Sequence, residues 1–109
     1  MSEKIPFNEF KKLDLRIAKI LGIEDVPGKD KLYKLSVDLG TEKRTLVAGI
    51  KSNYSKEELK GKSLVVVVNL EPAKIAGILS EGMLLAAVDG NNISIVTVDR
   101  EAKAGTKVE

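Results

Sequence analysis

Apolar and polar residues alternate along this chain in short stretches, the period of a half-buried strand. The first stretch is Leu13-Asp14-Leu15-Arg16-Ile17. Its alternation breaks between Ala18 and Gly22, where the glycine predicts a bulge that bends a long strand. Pro27-Gly28 marks a turn, and Lys29-Asp30-Lys31 is expected to extend it as a loop. Leu35, Val37 and Leu39 alternate with Lys34, Ser36 and Asp38 in a second strand. Gly40 to Lys43 reads as a hairpin connection, and Arg44 to Ile50 as a third strand. Ser55 and Glu58 have the spacing of a capping box, so a short helix starts there and Gly61 stops it. The valine run of Lys62 to Leu70 reads as a fourth strand, buried on both faces or in the middle of the sheet.

Glu71 to Gly82 has no period of two and holds Pro72 and Gly77, so a loop with at most one helical turn is expected there. Met83 to Val88 is a fifth strand, Asp89-Gly90-Asn91-Asn92 a tight turn and Ile93 to Val98 a sixth strand. The tail from Asp99 is polar. Phe7 to Lys12 predicts a helical turn with both phenylalanines packed on one side. Three strands, a short helix and two more strands is the order of the OB-fold, a five-stranded Greek-key β-barrel. The expected class is therefore all-β with short helices. One domain over residues 1–109 is expected, with the barrel over about 13–88 and a C-terminal hairpin, tail and extension strand over 89–109.

Composition narrows the chemistry. The chain has no cysteine and no histidine. Disulfides and thiolate metal sites are excluded, and the usual general base and commonest metal ligand are missing. No carboxylate or lysine spacing suggests a catalytic pair, and Gly61-Lys62-Ser63 lacks the upstream glycine of a phosphate loop. The reading is non-catalytic, with no cofactor and no metal. Met1-Ser2-Glu3-Lys4 is not a signal peptide, and Leu64 to Val68 is too short to cross a bilayer. A cytoplasmic location without membrane contact is expected. The formal net charge is only +2, but residues 1–62 hold fourteen Lys/Arg and ten Asp/Glu, a balance of +4. Such asymmetry can make a basic face.

An OB-fold binds across its second and third strands, between the loops joining strands one to two and four to five. The first loop offers Lys29 and Lys31, with Lys34 just beyond. The second offers Asn69, Lys74 and Ser80, with Gly82 and Met83 at its exit. Lysines neutralise phosphates without reading sequence, and Asn and Ser can bond phosphate, ribose or a base edge. Each residue has an ordinary alternative. The lysines could be solvated surface, Asn69 a strand-end closure, Ser80 a turn residue, Gly82 a hinge and Met83 core. Only their convergence on one face favours binding. The four aromatics are Phe7, Phe10, Tyr33 and Tyr54; the phenylalanines are assigned to packing and Tyr33 is the candidate stacking platform. One ring does not hold an extended single strand, so a partner recognised by outline and backbone fits better.

These segments together resemble the tRNA-binding domain that occurs free-standing, as the C-terminal appendix of methionyl-tRNA synthetases, and in cytokine-like synthetase cofactors. The resemblance runs from about Phe7 to Val108. It rests on Phe10 to Arg16, on Asp30-Lys31-Leu32-Tyr33 with Val37 to Gly40, on Asn69 to Lys74, and on Gly77 through Ser80 to Met83. It implies an OB-fold gripping the outer elbow of the tRNA L through residues matching Asn69, Lys74, Ser80 and Met83. It also implies a homodimer. Because the chain begins directly with the domain, it implies a separate subunit serving a methionyl-tRNA synthetase catalytic subunit. Many relatives carry a basic residue where Ala76 stands here. The alternative is a related branch of the same fold, an export-related chaperone that binds unfolded polypeptide and needs an exposed apolar groove.

Overall fold

A computed structural model describes residues 3–109. Helix α1 (Phe7–Phe10) leads into strands β1 (Leu15–Val26), β2 (Lys29–Asp38) and β3 (Lys43–Ala48). Helix α2 (Lys56–Leu59) and strand β4 (Ser63–Val67) follow. Short strands complete the chain: β5 (Ala73–Ile75), β6 (Ile78–Ser80), β7 (Met83–Leu84), β8 (Ala86–Asp89), β9 (Asn92–Ile95) and β10 (Lys107–Val108). The main sheet is antiparallel in the order β3-β2-β1-β4-β7, with β10 on β1. The sheet curls until residues 80–81 meet β3. The Glu81 N–H donates to the Thr45 carbonyl at 2.8 Å, and the Val47 N–H donates to Ser80 Oγ at 3.1 Å. The fold class is thus mostly β, with two short helices among the described residues and a barrel-like sheet.

The bulge is where the glycine places it, with a register shift between Ile20 and Gly22 against β2. Strand β1 is far longer than its alternating start, because pairing carries it through the shift. Lys29 to Lys31 is not a loop. The turn is Pro27-Gly28 alone, and Val26 already pairs with Lys29. Strand β4 ends at Val67, before the expected Leu70: the Val68 N–H still donates to the Asp14 carbonyl, but the return bond is lost because the Asp14 N–H donates to Asn69 Oδ1 and the Val68 carbonyl accepts from Arg44. The expected fifth strand is broken at Leu85 into β7 and β8, and the expected sixth stops at Ile95. The C-terminal hairpin therefore starts at Ala86 rather than at residue 89.

The valine run is buried on both faces for two separate reasons. Leu64 and Val66 point into the barrel with Ile20, Leu35, Val37, Leu46 and Leu59. Val65 and Val67 join Leu15 and Ile17 in a smaller cluster, against which Leu85, Val98, Ala102 and Val108 pack. The polar tail earns its place by covering that second face. Helix α2 begins with the expected capping box, in which Ser55 Oγ accepts from the Glu58 N–H and the Glu58 carboxylate accepts from the Ser55 N–H. It drives Leu59 into the core.

Candidate nucleic-acid interface

The segment Glu71 to Gly82 is not a loop but carries a projecting hairpin. Strands β5 and β6 pair Lys74 with Leu79 and Ile75 with Ile78. The turn between them is Ala76-Gly77, with φ of 50° and 82°. Two successive positive φ values match the twist that a two-residue hairpin turn requires. Cross-strand partners share a face, so Lys74 and the half-exposed Leu79 look outward together. Ser80 faces the barrel at 4% exposure, while Ile75 and Ile78 are half-buried.

Lys74 is exposed and makes no ion pair among the described residues. Lys29 and Lys31, exposed at the start of β2, have none either. Lys34 is half-buried, with Nζ 3.7 Å from Glu24. Nearby, Lys51 and Lys56 hold Asp25 at 3.1 and 3.2 Å. The hydrogen bond from Lys51, then that from Lys56, lowers the Asp25 carboxyl below its ordinary value. The acid next to the lysines is thus kept charged and is already matched.

The other candidates are engaged by the protein itself. Asn69 is exposed, yet its Oδ1 accepts from the Asp14 N–H at 2.8 Å and its Nδ2 donates to the Lys12 carbonyl at 2.6 Å. It ties the end of β4 to the entry of β1. Ser80 Oγ accepts from Val47 and donates to the Gly82 carbonyl at 3.2 Å. Gly82 has φ of 147°, and a Cβ there would lie 3.0 Å from the Val67 carbonyl oxygen and 3.1 Å from Val66 Cγ1. Met83 is not core but half-exposed on β7.

Tyr33 is not a stacking platform. It is 4% exposed, and its hydroxyl donates to the Tyr54 carbonyl at 2.8 Å. The Tyr54 hydroxyl accepts from the Ile95 N–H, so both rings serve the barrel end. Phe7 and Phe10 are not packed away either. Phe7 is 71% exposed, and both line a groove of about 310 Å³ with Leu13, Leu15 and Val108. Sequence reasoning missed a second feature. Leu32, Val47, Ile75, Met83, Val88 and Ile93 line a shallow apolar depression of about 360 Å³ between the two hairpin arms. Its one legible signal was Met83, since Val47, Val88 and Ile93 read as ordinary strand positions and Ile75 as part of a loop.

Among the described residues no group of three or more His, Cys, Asp or Glu is placed to hold a metal ion. None of their helices is long and apolar enough to cross a membrane. The structure is that of a barrel-like β domain whose β5–β6 arm carries an exposed lysine. The family model described as "Putative tRNA binding domain" matches residues 15–107. The chain belongs to that family. It is 53% identical over 106 residues to the methionine–tRNA ligase of Pyrococcus horikoshii, and 56% identical over 104 residues to that of Thermotoga maritima. Those alignments cover 97% and 95% of this chain but only 15% and 16% of the relatives, so the chain spans a small part of the curated proteins it matches. Among solved structures, a MetRS related protein from Pyrococcus horikoshii superposes with a TM-score of 0.92 at 36% identity, covering 99% of this chain and 100% of the other. The chaperone CsaA from Bacillus anthracis superposes with a TM-score of 0.89 at 30% identity, covering 98% and 100%.

Proposed function

We propose that this chain is an OB-type module that binds the elbow of folded tRNA by shape and backbone charge, with no chemistry of its own. The reading rests chiefly on the β5–β6 arm, which presents an exposed Lys74 without an ion pair among the described residues, beside a depression lined by aliphatic and not aromatic side chains. A phosphate-contacting arm without stacking platforms suits a folded, double-helical partner better than an extended strand. Lys29 and Lys31 extend the positive rim. Met83 would meet the RNA directly. Asn69, Ser80 and Gly82 would shape the surface from behind. The chain would act in trans in the cytoplasm as a homodimer beside a methionyl-tRNA synthetase. A second weak contact on the same tRNA raises its effective concentration at the catalytic subunit.

Lys74→Ala is expected to weaken binding to every tRNA alike and to flatten the salt dependence by about one unit in log–log slope. Gel shifts at several salt concentrations measure this. Wild-type affinity and slope in the variant would show that the arm is not the contact. The apolar depression favours one second reading, an export-related chaperone like the CsaA neighbours. In that case an unfolded polypeptide would displace tRNA from the protein.

A further inference from the structure

Three elements bring charged groups together beside the start of β2. Asp25 is the penultimate residue of β1, Lys51 follows β3 and Lys56 opens α2. The two oxygens of Asp25 are divided between the lysines: Oδ1 lies 3.1 Å from Lys51 Nζ and Oδ2 lies 3.2 Å from Lys56 Nζ. Lys51 also stands over the Tyr33 ring, 6.0 Å from its centroid, and its N–H donates to the Lys31 carbonyl at 3.2 Å. The triad is therefore continuous with the exposed Lys31. Lys29 and Lys31 flank Asp30, which pairs with neither among the described residues. The Asp25 side chain is 54% exposed, and ion pairs so open to water add little to stability. What Asp25 changes is the local field. Two ammonium groups and one carboxylate present a charge of +1 where the lysines alone would present +2.

We propose that Asp25 is a specificity-determining residue, which withholds Lys51 and Lys56 from RNA phosphates and confines phosphate attraction to Lys29, Lys31 and Lys74. The proposal rests on the tRNA-binding reading above and adds to it a restraint rather than a contact. Each phosphate that a lysine neutralises releases counterions and steepens the salt dependence, whatever the outline of the RNA. A lysine already matched by a carboxylate gives up part of that gain, because the phosphate must displace an anion in place. A flexible strand can bend its phosphates onto any cluster of lysines, whereas a folded RNA presents them at fixed positions. Free lysines at this corner would therefore help unstructured RNA most and erode the preference for shape. Asp25 keeps the attraction that is blind to shape small, so that the fit of the folded partner decides.

The experiment titrates folded, unfractionated tRNA and an unstructured RNA across a salt series, with thermal melts to check folding. Asp25→Asn keeps the outline of the side chain and removes its charge. It is expected to bind the unstructured RNA about ten-fold more tightly at low salt, with a log–log slope steeper by about one unit, and tRNA only about two-fold more tightly. Its melting midpoint should match that of wild type. Adding Lys51→Gln and Lys56→Gln to it should restore wild-type binding of both RNAs. Asp99→Asn makes the same change in net charge on the exposed tail and should bind as wild type. Equal tightening by Asp99→Asn would reduce the effect to net charge and overturn the proposal, as would tightening that survives loss of the two lysines. Wild-type binding by Asp25→Asn, with a flattened slope in Lys74→Ala, would overturn the proposal and leave the tRNA-binding reading standing. Wild-type behaviour of both variants would remove both. Weaker binding by Asp25→Asn with a lowered midpoint would show that the carboxylate only ties α2 to the barrel, and the proposal would be wrong.

Discussion

Ser80 is an RNA contact implied by the resemblance and Gly82 a candidate at the exit of the same segment, yet their immediate neighbours are barrel atoms. Ser80 satisfies the amide of Val47, and an unpaired amide at that buried seam would cost on the order of 1–3 kcal/mol. Gly82 lets β7 pass close to Val66 and Val67. Gly82→Ala is therefore expected to destabilise the fold by about 1–3 kcal/mol, through steric conflict and a φ that L-residues avoid. A thermal melt checks this. An unchanged midpoint combined with weakened tRNA binding would instead put the RNA against Gly82 itself. Asn69 belongs with this pair, since both ends of its amide hold the chain on either side of Leu13. Asn69, Ser80 and Gly82 thus hold the arm and the rim in place, whereas Lys29, Lys31 and Lys74 present charge and Met83 an apolar side chain.

The β5–β6 arm is the element on which the proposed function turns. Its tip places Ala76 at φ of 50°, a conformation that costs alanine about 1 kcal/mol relative to glycine, which lacks a β-carbon, or asparagine, whose side chain can hydrogen-bond locally. Ala76→Asn should raise stability by about that amount, measured by denaturant unfolding; no gain would mean that the turn relaxes to another geometry. The same alanine explains why the arm was not legible in the sequence. Hairpin turns announce themselves through pairs such as Asn-Gly, Asp-Gly or Gly-Asn, as Gly90-Asn91 does between β8 and β9, whereas Ala76-Gly77 joins three-residue strands too short to show a period. By contrast the long strands, the bulge near Gly22 and the α2 capping box were readable, because each depends on local spacing. What depends on distant contacts was not readable. Tyr33 is buried because the barrel closes over it, the tail is ordered because it covers Val65 and Val67, and the Phe7–Phe10 turn is left uncovered because nothing within the described chain packs on it.

Across the whole molecule, two surfaces stand out on opposite accounts, one charged and one apolar. Ile5, Phe7, Phe10 and Leu13 are all at least 38% exposed near the termini, an apolar group of the kind that marks association. The expected homodimer would bury it. Size exclusion should then report about twice the 11.8 kDa chain mass, and Phe7→Ser should shift the protein toward monomer; an unaltered elution would place the contact elsewhere. The charged surface carries the central claim, that a rigid barrel rim reads the bend of a folded RNA. With a net charge of only +2, nonspecific attraction to any polyanion is a weak alternative explanation of tight binding. The most direct measurement is a competition at moderate salt between native tRNA and an unstructured RNA of the same length and composition for labelled tRNA held by the wild-type protein. The native molecule should compete at least ten-fold better, a preference of about 1.4 kcal/mol. Equal competition by the two RNAs would contradict recognition by shape.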